Sequence, residues 1–166
     1  MILTAFCRRR QMDPQFTTIQ LSGGGMTRAA LVNALRERHV QTDQAAERLL
    51  QTMPVYPGER PYPIRLGLIR ARDLGLSQGS TLPHIFQTAQ HYGLGLVPLA
   101  AAAFLRLQWG DQPAGNVFVA SPALSNQGPR GFALTKAAKQ LQLHGFFASD
   151  DKPWPATTSF AFELSV

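Results

Sequence analysis

The stretch PVYPGERPYP, residues 54 to 63, restricts the fold more than any other part of the chain. Its four prolines and one glycine fix φ and remove backbone donors, so neither a helix nor a central strand can run through it. The chain must change character there, and it does: upstream the apolar residues recur at helical spacing, and downstream they first alternate. The pattern predicts an α+β fold, with an N-terminal helical pair over 26–53 followed by an antiparallel-rich sheet covered by one main helix over 64–166. Residues 26 to 166 are expected to form one structural domain.

Within the helical pair, Thr27 supplies a capping hydroxyl ahead of Ala30, Leu31, Ala34 and Leu35, and a helix is expected to about Arg38. Thr42 or Asp43 then caps a second apolar stripe of Ala46, Leu49, Leu50 and Met53, which Pro54 ends. Residues 1 to 25 hold no sustained period and are expected to be weakly ordered, with Phe16 to Leu21 able to extend as a short edge strand. Gly23 to Gly25 precede Met26 and admit two readings. They supply a tight turn before the helix, or their purine-rich codons resemble a bacterial ribosome-binding sequence. The second reading makes Met26 the native start and residues 1 to 25 a translated leader.

After the prolines, Ile64, Leu66 and Leu68 alternate with Arg65 and Gly67. The parity then shifts, with Ile69 and Ala71 apolar and Arg70 and Arg72 charged, which predicts a strand bulged near Leu68 and Ile69. Ser80 or Thr81 opens the main helix, which carries Leu82, Ile85, Phe86, Ala89 and Tyr92 and is closed by Gly93. Ile85 and Phe86 are expected to be buried with Leu66, Leu107 and Leu143. Pro98 to Ala103 reads as a helical turn. Phe104 to Trp109, Asn116 to Ser121, Gly131 to Lys136, Gln140 to Ala148 and the run holding Phe160, Phe162 and Leu164 read as strands.

The net charge of +6 is unevenly distributed: residues 1 to 72 hold eleven Arg against five Asp and Glu, and the remainder is balanced. Such a region is either a solvated surface or a binder of phosphates and other anions. With the expected bulge, Arg65 joins Arg70 and Arg72 on one face, and Arg36 and Arg38 extend the stripe into an anion- or nucleic-acid-binding surface. Cys7 is the single cysteine, which excludes an internal disulfide and a cysteine-based zinc site and suits a reducing cytoplasm. The longest apolar run, Val97 to Leu105, is too short to span a bilayer, and no secretory signal precedes it, so no membrane role is expected.

Motifs with a chemical mechanism are few. The chain contains no H-E-x-x-H and no G-x-S-x-G. His84 and His91 lie two helical turns apart without a third ligand. Asp150 and Asp151, in the loop after the strand bearing His144, are the best acid–base or metal candidates, although S-D-D-x-P is more often turn chemistry. Trp154 beside them is either packing or a binding platform. No cofactor is implied.

Several stretches together resemble a family of small uncharacterised bacterial proteins, sometimes labelled "helicase". They are T-R-x-x-L-x-x-A-L at 27–35, R-D-L-G-L-x-x-G-x-T-L at 72–82, L-R-L-Q-W-x-D-Q-P at 105–113, G-F-A-L at 131–134 and S-D-D-K-P-W at 149–154. The resemblance spans Met26 to about Phe162 and implies no known activity or site residues. Lys152-Pro153 stands where that family has a histidine before the tryptophan. A helicase motor is excluded, because no phosphate-binding G-x-x-x-x-G-K-[ST] occurs. The helical pair is faintly similar to SAP-like DNA-binding modules, and any two amphipathic helices give that pattern. The sequence thus predicts a small cytoplasmic, non-enzymatic binding protein acting through protein partners or nucleic acid. Its alternative is a metal- or acid–base-dependent hydrolase using His144, Asp150 and Asp151.

Overall fold

The computed structural model describes residues 14–55 and 60–164. Cys7, the first part of the expected leader and residues 56 to 59 of the proline-rich connector lie outside the described residues. The fold is mixed α+β, a large and mostly antiparallel sheet with four helices. In chain order the elements are β1 (Thr17–Gly23), α1 (Arg28–Glu37), β2 (Gln41–Thr42), α2 (Gln44–Thr52) and β3 (Tyr62–Arg70), then a 3-10 turn (Ala71–Leu74). There follow β4 (Ser80–Thr81), α3 (Leu82–His91), β5 (Leu94–Gly95), α4 (Leu99–Gln108), β6 (Gly115–Val119), β7 (Gly131–Ala137), β8 (Gln140–Phe146), β9 (Pro153–Trp154) and β10 (Ser159–Leu164). The main sheet runs β1-β3-β10-β6-β7-β8-β2, with β5 added to β10 and a separate β4–β9 pair. Only β10–β6 and β2–β8 are parallel.

The helix starts follow local chemistry. Thr27 Oγ1 accepts from the Ala30 N–H at 3.1 Å, and Asp43 Oδ1 accepts from the Ala46 N–H at 2.7 Å. Arg28, in the first turn of α1, donates to the carbonyls of Leu50 and Met53, so its guanidinium closes the C-terminal end of α2. Before α1 the chain turns through Gly24 and Gly25 in the left-handed region, at φ 79° and 74°.

Strand alternation divides the core into two layers. Leu66, Val117, Leu134, Leu143 and Ala161 lie on the sheet face covered by α1, α2 and α4. Ile69, Ala133, Phe146, Phe160 and Phe162 lie on the opposite face with α3. Phe86 of α3 meets Phe160 and Phe162 edge-on, with ring centroids 6.3 and 5.9 Å apart.

Three expectations are corrected by this arrangement and a fourth is adjusted in its bounds. The sheet is not covered by one main helix: residues 99 to 108, read partly as a strand, form α4, buried at eight of its ten positions. An apolar run this uniform has no period with which to tell helix from strand. Ile85 and Phe86 are buried, but in the layer opposite Leu66, Leu107 and Leu143. No bulge interrupts β3, which pairs without a skip from Thr17↔Leu68 to Gly23↔Tyr62 with β1 and from Ser159↔Arg70 to Glu163↔Leu66 with β10. Leu68 and Ile69 are both apolar because both faces of β3 meet a packed layer. Finally, the edge strand allowed for Phe16 to Leu21 within the stretch expected to be weakly ordered is present as Thr17–Gly23, two residues longer at its end. Among the described residues no helix is long and apolar enough to cross a membrane.

Candidate functional site

The last turn of α4 carries Arg106 between Leu105 and Leu107, and its side chain is wholly buried. Nη1 donates to Gln112 Oε1 at 2.7 Å and lies 3.4 and 3.3 Å from the carbonyls of Thr135 and Gln142, while Nη2 donates to the Trp109 carbonyl at 2.7 Å. No carboxylate meets this guanidinium among the described residues, and its Nε–H has no partner. Burial pushes its pKa down to about 10, so the charge persists at neutral pH. Gln112, also buried, returns its amide to the Leu134 carbonyl at 3.0 Å. The pair fastens the loop between α4 and β6 onto β7 and β8.

That loop walls a cleft of about 880 Å³ beyond the end of α4. Its floor is one face of four strands: Thr17 and Ile19 of β1, Leu68 and Arg70 of β3, Ser159 of β10 and Val117 of β6. The register places these side chains together, since Thr17 opposes Leu68 and Ser159 opposes both Arg70 and Val117. Trp109, Asp111, Gln112 and Asn116 form the wall, and Phe16 and Asp73 also border the space. Arg70 Nε lies 3.1 Å from Asp73 Oδ2 in a half-exposed ion pair. Asn116 Oδ1 accepts from Thr135 Oγ1 at 2.7 Å.

The arginines named from sequence are not gathered here. Arg70 faces the cleft, whereas Arg65, an odd number of residues away on an unbulged strand, faces the opposite side of the sheet. Arg72 sits in the 3-10 turn, and Arg36 and Arg38 belong to α1, where Arg38 donates to the Leu107 carbonyl at 2.7 Å. The five are exposed but form no single stripe, because the stripe required a bulge.

His144 is likewise drawn to a different partner. Its Nδ1 lies 3.2 Å from Asp43 Oδ2 and its Nε2 lies 2.8 Å from Gln142 Oε1, both on the β2–β8 edge. Asp43 Oδ1 also accepts from the Gly145 N–H at 3.0 Å. Burial raises the pKa of Asp43, but the N–H groups of Gly145 and Ala46 and the nearby His144 outweigh it and hold the carboxyl below its ordinary value. Asp150 and Asp151 are exposed in the loop after β8, with Asp150 acting by charge on Arg130. Among the described residues no group of three or more His, Cys, Asp and Glu is placed to hold a metal. Trp154 packs edge-on against Phe118 and Phe146 at 4.9 and 5.7 Å, which is the packing reading of that residue.

Sequence reasoning missed three participants: Asp43 as the partner of His144, the Arg106–Gln112 pair, and Gln108, whose side-chain amide bonds the Ser22 backbone. A readable signal existed for Arg106, the lone charge inside the flank of the longest apolar run. From sequence Asp43 reads only as a helix cap, and its second role depends on His144 of β8, 101 residues away. Comparison with family models, with curated proteins and with solved structures gave no match.

Proposed function

We propose that this chain is a small non-enzymatic binding protein that works in the cytoplasm through a protein partner, engaged at the cleft and the neighbouring strand β1. The observation that carries the reading is an 880 Å³ cleft opening beside an exposed, uncharged edge strand. Several of the cleft's polar groups are already engaged: Arg70 pairs with Asp73, Asn116 with Thr135, and Gln112 with Arg106 and the Leu134 carbonyl. His144 is engaged with Asp43 and Gln142 rather than with Asp150 or Asp151, so a binding role is favoured over the hydrolase reading. Nucleic acid is the less favoured partner, because among the described residues Arg65 and Arg70 point to opposite faces of the sheet.

The likeness to small bacterial proteins belongs to the same reading. The residues carrying it serve the fold: Thr27 and Arg28 cap two helices, Arg106 and Gln112 anchor a loop, and Trp154 packs under the sheet. A photo-crosslinking side chain at exposed Gln15, on the cleft rim, tests the proposal in living cells against the same group at exposed Gln90 of α3. Discrete protein adducts from position 15 alone, unchanged by nuclease, are expected. Nuclease-sensitive adducts would establish nucleic acid instead, and equal patterns at both positions would remove the cleft from the reading.

A further inference from the structure

The side chain of Gln108 behaves as a fragment of a missing strand. Its Oε1 accepts from the Ser22 N–H at 2.8 Å and its Nε2 donates to the Ser22 carbonyl at 2.7 Å. A residue on a neighbouring antiparallel strand makes the same pair of bonds. Gln108 seals only this one position. Backbone groups along a strand alternate in direction, so Thr18 and Gln20 turn their N–H and C=O groups to the edge that Ser22 uses. Both residues are exposed, and among the described residues no hydrogen bond reaches those outward groups. Edge strands are commonly guarded by charge, proline or a bulge. The sequence TTIQLSG of β1 contains no charge and no proline, and its register with β3 has no skip.

We infer that the outer edge of β1 receives an extended segment of a partner protein as an added strand, presenting an acidic side chain toward Arg65 and an apolar side chain into the cleft beside Ile19. This deepens the protein-partner reading and rests on it. Gln20 opposes Arg65 in the β1–β3 ladder, so a residue added opposite Gln20 lies on the face of Arg65, about 10 Å away between backbones. A glutamate and an arginine bridge that separation with their side chains. The adjacent residue of the added strand points to the other face, where Ile19 lines the cleft. Backbone pairing supplies affinity and the alternating side chains supply selection. The net charge of +6 also favours an acidic segment over a basic one.

The test uses the full chain and a blocked heptapeptide of alternating valine and glutamate, with lysine-for-glutamate and alternately N-methylated versions as controls. On adding the glutamate peptide, hydrogen exchange at the Thr18 and Gln20 amides should slow by about tenfold or more, as expected for newly paired backbone donors. Gln20→Pro removes one outward N–H without touching the β1–β3 ladder and should weaken binding by about tenfold or more. The N-methylated peptide should fail against the unaltered protein, which keeps the test valid if that variant misfolds. Arg65→Glu should reverse the preference from the glutamate to the lysine peptide. The inference is overturned by no binding of the glutamate peptide, by binding without protection at Thr18 and Gln20, or by equal binding of the N-methylated peptide. It is also overturned by a dimer of the unliganded chain that Gln20→Pro dissociates, since the occupant is then a second copy. Cellular adducts at position 15 that survive Gln20→Pro would sink the strand-addition inference alone, whereas their absence from the unaltered chain would sink the protein-partner reading beneath it.

Discussion

At one edge of the sheet β2 contributes two residues before the chain turns into α2, and at the other β1 runs for seven. The short edge is locked by side chains: Asp43 caps α2, accepts from the Gly145 N–H and meets His144, while Gln41 and Gln142 join their amides at 3.2 Å. Among the described residues the long edge is held by one glutamine at Ser22, and Thr18 and Gln20 are exposed. The sheet therefore directs its polar inventory to the end where a helix must dock, and leaves backbone pairing capacity where nothing docks. That contrast is what the proposed strand addition at β1 rests on, the β2 side being part of the scaffold.

The comparison breaks most severely at Gly145. A Cβ there would stand 2.6 Å from the Ala45 Cβ and 2.7 Å from its carbonyl carbon, so Gly145→Ala must push α2 off β8. A loss of about 3 kcal/mol is expected from overpacking against backbone, read as a lower urea midpoint. Asp43→Ala removes a helix cap and a second backbone bond and should cost about 2 kcal/mol. Its contribution also has a pH signature. Because the folded carboxyl titrates below its ordinary 3.8, the stabilisation is present above that value and is lost as pH falls through the folded-state pKa. Asp43→Asn should flatten the stability profile below pH 3.8, and an unchanged acid limb would mean that other carboxylates dominate it.

Smaller effects are expected at the open edge. Gln108→Ala removes the strand surrogate, should cost about 1 kcal/mol, and exposes the Ser22 backbone, so that association at high concentration rises in sedimentation runs. Thr18→Lys adds a guard to the edge and should change stability by less than about 0.5 kcal/mol. It should nevertheless suppress any such association, and wild-type association in that variant would separate the edge from the effect.

Much of the local structure was legible along the chain. Thr27 and the Thr42-or-Asp43 pair announced two helix starts, the spacing of Leu82, Ile85, Phe86 and Ala89 announced α3, and Phe160 with Phe162 announced one face of β10. Each signal depends on residues within a few positions of one another. The candidate site was not legible in this way. Sequence alone groups Arg36, Arg38, Arg65, Arg70 and Arg72 as one surface from a parity shift whose cause is burial on two faces, and joins His144 to Asp150 and Asp151 by proximity in the chain.

What the sequence determined by itself was the placement of caps, turns and apolar stripes, because capping bonds and side-chain periods are settled within one or two turns of backbone. Tertiary structure alone decided that LAAAAFLRLQ is a helix, since a segment apolar on all sides takes its form from what surrounds it. It alone decided that Asp43 meets His144 and Gly145 and that Gln108 meets Ser22, contacts spanning 101, 102 and 86 residues. Such pairings exist only after strands have chosen their neighbours, and strand choice is a property of the whole sheet, which no local window of residues contains.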